Sequence, residues 1–209
     1  MQIVSYGLAS IGITTKNIQR EVRVVIDPYD NVTGLRFPRT IEAEMILSSH
    51  DAPEANNIAA VEGKPFVVKL PGEYEVAGVF VYGISAPRKD GSPHIIFLIE
   101  AEGLRLAHLG AMDRPLTDDE VTALGDVDIL FVPMGGGMVL SADQAADAVQ
   151  AIEPRAAVPV FYGKAKGVKA ESPLPFVKAL GVSPVDAGGK WKIARAGLPE
   201  EDLQVVTLS

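Results

Sequence analysis

Apolar positions along this chain gather into short runs, rich in Val and Ile and broken by Gly, Pro or Asp, and such runs read as β-strands. The segments are residues 21–26, 44–47, 66–70, 76–82, 94–100, 104–109, 128–132, 156–161 and 204–208, and Met1 itself opens an apolar, strand-like stretch. A helical period enters only later. Thr117 with Glu120 forms a capping box ahead of Val121 and Leu124, and Ser141 with Gln144 forms a second. In that second helix Ala142, Ala145, Ala146, Val149 and Ile152 share one stripe, which predicts packing on a sheet. A third helix starts at Ser172-Pro173 and stops at Gly181, with Phe176, Val177 and Leu180 on its buried side. Strands dominate the first half and alternate with helices after Leu104, with no Pro-, Gly- or Ser-rich linker between. The pattern predicts one mixed α/β domain over residues 1–209, while periodicity leaves open whether the strands form one sheet or two.

Composition narrows the chemistry. The 209 residues are 47% hydrophobic, enough for a sizeable core, and the formal charge is −8 with no basic run. Phosphate backbones are held by clustered Lys and Arg, so nucleic acid is not an expected partner. The absence of cysteine removes disulfides, thiolate metal sites and a Cys nucleophile, leaving His and carboxylates as the only metal donors. No long apolar run and no leader-like start occurs, so a membrane is not expected and a cytoplasmic location is.

Several local motifs have plain readings. Gly135-Gly136-Gly137 precedes a helix but lacks the Lys and Ser/Thr of a phosphate loop and reads as a flexible connection. Ser48-Ser49-His50 lacks a nucleophile elbow, and adjacency in sequence makes no relay in space. Lys164, Lys166 and Lys169 read as a solvated loop. Glu73 and Glu75 flank Tyr74 on one side of an extended segment that reads as a structural turn.

The order of the longer motifs resembles the metallo-β-lactamase superfamily, in its branch of lactonase-like zinc-dependent hydrolases. Val25-Ile26-Asp27-Pro28, Ile46-Leu47-Ser48-Ser49-His50-Asp51 followed by Asn56-Asn57, Pro71-Gly72-Glu73-Tyr74-Glu75-Val76, Leu106-Ala107-His108-Leu109-Gly110, the segment from Asp128 to Gly136, and Val158-Pro159-Val160-Phe161-Tyr162 carry the likeness in sequence order. The resemblance implies a four-layer αβ/βα sandwich of two mixed β-sheets flanked by helices, with the site at one edge of the sheets.

Carried across residue by residue, the resemblance implies a depleted metal site. In the His-x-His-x-Asp-His motif only His50 keeps its type; the other positions fall on Ala52, Glu54 and Ala55. The bridging Asp falls on Ala111 and a late histidine on Phe161, and where the branch tends to carry His-Asp this chain has Pro87-Arg88. A zinc hydrolase needs three or more converging donors and an open position for water. The chain holds only His50, His94 and His108, of which the last two lie outside the family's ligand positions. Unpaired ligands left buried after metal loss would each cost about 1–3 kcal/mol, which favours apolar replacements.

The expected pocket is therefore vestigial: His50, Asp51, Ala52, Glu54, Ala55, Ala111 and Phe161, with Asp27 either orienting a loop or forming a turn. His50, Glu54 and Asp113 are weak metal candidates, of a carboxylate-rich type suited to Mn²⁺ or Mg²⁺, or else His50 is a leftover and the acids are solvated. No cofactor is expected, although zinc serves the active family. The expected function is a non-hydrolytic binding or interaction module for an unknown small molecule or protein, with a homo-oligomer permitted. The alternative is a hydrolase of phosphoester or lactone bonds with a weak or relocated metal site near His50.

Overall fold

A computed structural model of the chain describes residues 1–16, 20–170 and 172–208. In chain order its strands are β1 (Gln2–Gly7), β2 (Ser10–Lys16), β3 (Glu21–Ile26), β4 (Ile41–Glu42), β5 (Met45–Leu47), β6 (Val61–Glu62), β7 (Phe66–Val68) and β8 (Gly72–Val76). They continue with β9 (Val79–Ser85), β10 (Ile95–Ala101), β11 (Leu104–His108), β12 (Ile129–Pro133), β13 (Ala156–Val160), β14 (Pro184–Asp186), β15 (Trp191–Lys192) and β16 (Gln204–Thr207). Three α-helices, α1 (Asp118–Leu124), α2 (Ala142–Ile152) and α3 (Leu174–Leu180), fall among the later strands.

The strands form two large mixed sheets, ordered β15-β1-β2-β3-β5-β7 and β14-β16-β13-β12-β11-β10-β9-β8, with β4 and β6 paired apart. Side chains from both, among them Ile13, Val24, Leu47, Phe97, Leu106, Phe131 and Val158, share one buried cluster, the core of a sandwich. The helices serve a second cluster, in which Ala145, Val149, Ile152 and Phe176 meet Ile96, Ala107 and Leu130 of the larger sheet. On the six-stranded side the helical complement is reduced, among the described residues, to short 3₁₀ turns such as Asn31–Thr33 and Ile58–Ala60.

Both capping boxes form, at Thr117/Glu120 and Ser141/Gln144, and the predicted stripe of α2 is buried apart from the half-buried Ala142. The third helix begins one residue later than its cap suggests: Pro173 holds the N-cap without a side-chain bond, and Gly181 ends the helix at φ 70°. The predicted strand 76–82 is in fact two strands, because Ala77 (φ 52°) and Gly78 (φ 82°) make a two-residue hairpin loop between Val76 and Val79. In consequence Pro71–Val76 is no turn but leads into the edge strand β8, where Glu73 and Glu75 are exposed and Glu75 Oε1 accepts the Gly78 N–H at 2.6 Å. The loop at Gly135 is not loose either. A β-carbon on Gly135 would lie 2.0 Å from the Phe161 carbonyl oxygen, so only glycine permits this close approach, and its own carbonyl accepts the N–H groups of Lys169 and Ala170. No described helix is long and apolar enough to cross a membrane.

Candidate functional site

In both sheets the parallel strands bring their C-terminal ends to one edge, and the loops leaving β3, β5, β11, β12 and β13 gather there. Three bonds tie the sheets together at this edge. Ile95 N donates to Ser49 O at 2.8 Å, Phe161 N to Leu8 O at 2.7 Å, and His108 Nε2 to Ala9 O at 2.7 Å. His108 Nδ1 accepts the Gly110 N–H at 3.1 Å, so one neutral tautomer satisfies the whole ring, and burial pushes its pKa down. This histidine is a structural tie.

Asp27 is wholly buried with its backbone at φ 46°, a left-handed conformation that costs free energy unless its surroundings fix it. The surroundings do. Its N–H bonds Leu47 O at 2.8 Å, its Oδ1 accepts the Ser49 N–H at 2.7 Å, and its Oδ2 meets Ser49 Oγ at 2.8 Å. Asp27 thus orients the loop that carries His50, and is not a solvent-facing turn residue. Burial pushes its carboxyl up, against the opposing pull of His108, His50 and the Ser49 bonds.

The hydrogen bonds continue outward. Ser49 Oγ lies 2.9 Å from His50 Nδ1, and His50 Nε2 lies 3.1 Å from Glu54 Oε1. The Ser49 hydroxyl donates to Asp27 Oδ2 and its oxygen faces His50 Nδ1, so one hydroxyl links the carboxyl to the ring. This corrects the reading that Ser49 and His50 are not joined in space. It does not make a serine-hydrolase triad, because the hydroxyl sits between acid and imidazole and is buried.

Glu54 is buried too, contrary to the expectation of a solvated acid. Burial is the largest single influence and acts to raise its carboxyl pKa, yet the bonds from His50 and its own backbone, with the charge of Arg88, hold it below the usual range. The Arg88 guanidinium is the centre of the next cluster. Its Nη1 is 4.0 Å from Glu54 Oε1, its Nε 3.4 Å from Asp113 Oδ2, and its Nη2 donates to Met138 O at 2.7 Å. Asp113 also accepts the Lys89 N–H at 2.9 Å. The weak metal candidates Glu54 and Asp113 are therefore gathered around an arginine.

The other pocket residues lie as follows. Ala52 lines a cavity beside His50, and the Asp51 carboxylate there is bonded by Asn56 Nδ2. Ala55 is wholly buried one turn on. Ala111 follows Gly110, whose backbone presses so closely on the loop that a β-carbon there would be 2.7 Å from both Ser49 Oγ and His94 Nε2. Phe161, buried at φ 58°, belongs with Ala111 to the inter-sheet core and walls a hollow with Leu8, Pro53, Glu54 and Met138. This donor set does not suit zinc. Among the described residues no three His, Asp or Glu groups come together to hold an ion, and a guanidinium stands against both Glu54 and Asp113.

Sequence reasoning missed His94 and the role of Arg88. His94 sits just before β10 with its ring 5.6 Å from that of His50, buried, and neither ring nitrogen has a partner among the described residues. Burial, aided by His50 and Arg88, pushes its pKa down to about 3. With His50, Ala52, Lys69, Leu70, Arg88 and Ile95 it lines a cavity of about 430 Å³. Larger hollows beside Met1 and Glu102 and beyond the end of α2 hold no comparable constellation.

The sequence matches the family described as "Beta-lactamase superfamily domain" over residues 2–161. A UPF0173 protein of Pyrococcus abyssi is 29% identical, spanning 82% of this chain and 88% of its own. A UPF0173 metal-dependent hydrolase of Thermococcus onnurineus is 28% identical over 76% of this chain and 85% of its own. A crystal structure of a candidate Zn-dependent hydrolase of the metallo-β-lactamase superfamily from Thermotoga maritima superposes with TM-score 0.81 at 26% identity, covering 100% of this chain and 99% of that one.

Proposed function

Since the chain belongs to the β-lactamase superfamily domain family, we propose that it is a member without a functional zinc centre, which binds a small molecule instead of hydrolysing one. The observation that carries this reading is Arg88. A guanidinium keeps its charge across the accessible pH range, and here it lies 4.0 Å from Glu54 and 3.4 Å from Asp113. A divalent ion seated beside Arg88 would be repelled by its fixed charge, by an amount set by distance and local screening. One guanidinium offsets one of the two carboxylate charges, and His50 Nε2 sits against Glu54. Ala52, Ala55, Ala111 and Phe161 support the same reading, since they offer no donor where the family resemblance puts ligands.

A second reading is favoured by the relatives named metal-dependent hydrolases: a hydrolase whose metal is held weakly or elsewhere near His50. Elemental analysis of tag-free protein, after growth with added zinc, separates the two. Zinc well below one atom per chain, with a melting temperature indifferent to chelator, is the expected result. Stoichiometric zinc whose removal lowers the melting temperature would overturn the proposal.

A further inference from the structure

Two edge strands lie side by side on one flank of the sandwich, β7 closing the six-stranded sheet and β8 the eight-stranded one. Their apolar side chains form one patch: the Phe66 and Tyr74 rings are 6.0 Å apart, and the Tyr74 hydroxyl donates to Leu70 O at 2.9 Å. Phe66 is 49% exposed and Leu70 69%. Open strand edges that carry bare apolar side chains invite pairing with another chain. We propose that this flank is the interface of a homodimer, in which β7 of each copy pairs with β8 of the other about a two-fold axis parallel to the strands.

Charge selects both the occupant and the arrangement. The β7 edge is basic, with Lys64 and Lys69 exposed at its two ends, and the β8 edge is acidic, with Glu73 and Glu75 exposed along it. Pairing β8 with its own copy around Tyr74 would set Glu73 against Glu75, and pairing β7 with its own copy would set Lys64 near Lys69. Like charges placed opposite destabilise a strand pair. Crossed pairing instead sets lysines against glutamates twice over, the self-complementarity that a two-fold contact requires. The backbone fits the same arrangement. Val76 and Val79 flank a two-residue hairpin loop and form a bonded pair, so by alternation Glu73 and Glu75 turn their N–H and C=O groups to the open edge. On β7, Phe66 N donates to Glu44 O and Val68 O accepts from Ser48 N, which leaves the Val67 groups facing outward. β7 ends at the site edge of the sandwich and β8 starts there, so the crossed strands run antiparallel, and Phe66 level with Tyr74 brings Val67 opposite Glu73 of the other copy. Lys69 and Leu70 also line the cavity beside His50, so the second copy reaches its mouth.

Sedimentation velocity of the full chain at roughly 100 µM, enough to fill a contact of low-micromolar dissociation constant, should show a dimer. Lys64→Glu with Lys69→Glu should weaken it at least about tenfold, because the crossed strands then carry like charges, and Glu73→Lys with Glu75→Lys should do the same. An equimolar mixture of the two variants should recover the dimer. Leu70→Ser should weaken it as well, through the lost apolar contact. All of these side chains are exposed, and circular dichroism checks that each variant keeps the fold. A monomeric parent overturns the inference. So does a dimer that the lysine pair of substitutions leaves intact, which would place the contact elsewhere or on β8 alone, and so does a mixture of the two variants that stays monomeric.

Discussion

The carboxyl of Asp27 holds Ser49 by two atoms at once, its Oδ1 accepting the backbone N–H at 2.7 Å and its Oδ2 meeting the side-chain hydroxyl at 2.8 Å. All of these groups are buried, so the contact fixes the start of the loop that aims His50 and joins the smaller sheet to Ile95 of the larger. The left-handed backbone at Asp27 is the strain this latch has to hold.

Removing the latch should therefore be costly in a graded way. Asp27→Ala orphans the buried Ser49 N–H, at about 1–3 kcal/mol, removes one of two partners from its hydroxyl, and puts alanine in a left-handed conformation. For a chain of this size about 2–4 kcal/mol corresponds to a melting temperature lower by roughly 5–15 °C. Asp27→Asn should lose less than half as much, because an amide oxygen still accepts the Ser49 N–H and asparagine tolerates positive φ. Calorimetry of the two variants checks this; equal losses would show that the side-chain bonds contribute nothing.

Acid should begin to weaken the fold through His94 at a pH above the range in which carboxylates titrate. The folded protein holds this histidine neutral down to about pH 3, whereas in the unfolded chain it takes up a proton near pH 6.5. Between those values the unfolded state binds the extra proton, so stability is full above about pH 6.5 and falls as pH drops, by up to about 1.4 kcal/mol per pH unit for this one group. His108, whose pKa is also lowered, adds in the same direction. Urea unfolding at a series of pH values should show this slope, and His94→Phe should flatten it. A His94→Phe protein with the parent's slope would place the sensitivity elsewhere.

Rebuilding the metal site should depend on Arg88. Ala52→His, Ala55→His, Phe161→His, Glu54→Asp and Ala111→Asp restore the family's donor types beside His50, and histidine suits the positive φ at position 161 better than phenylalanine. With Arg88 kept, the fixed charge still opposes a divalent ion; with Arg88→Ala added, calorimetric zinc affinity should rise by more than about tenfold. The apo variants should melt below the parent and recover with zinc, as linkage requires for an ion that binds only the folded state. If Arg88→Ala makes no difference, the guanidinium is not what excludes the metal.

Much of this protein is fixed by local rules that can be read from the chain. Caps, alternation and helical stripes place α1, α2 and most strands, because each depends on residues within one or two turns of one another. The donor inventory is equally legible: three histidines and no cysteine bound what any metal could use, and the residue types at 52, 54, 55, 111 and 161 can be checked one by one. The hairpin at Ala77-Gly78 escaped because alanine gives no warning of a positive φ.

The meaning of those positions was decided only by the tertiary structure. Glu54 looks like a loop acid and is a buried partner of His50; Arg88 carries no local signal and meets Glu54, Asp113 and the carbonyl of Met138, residues far apart in sequence. His94 looks like the first residue of a strand and is an unpartnered ring in a cavity wall. The physical reason is common to all three. Burial and electrostatic pairing depend on which loops meet at the edge of two packed sheets, and no periodicity within a segment encodes which side chains from distant segments will face each other there.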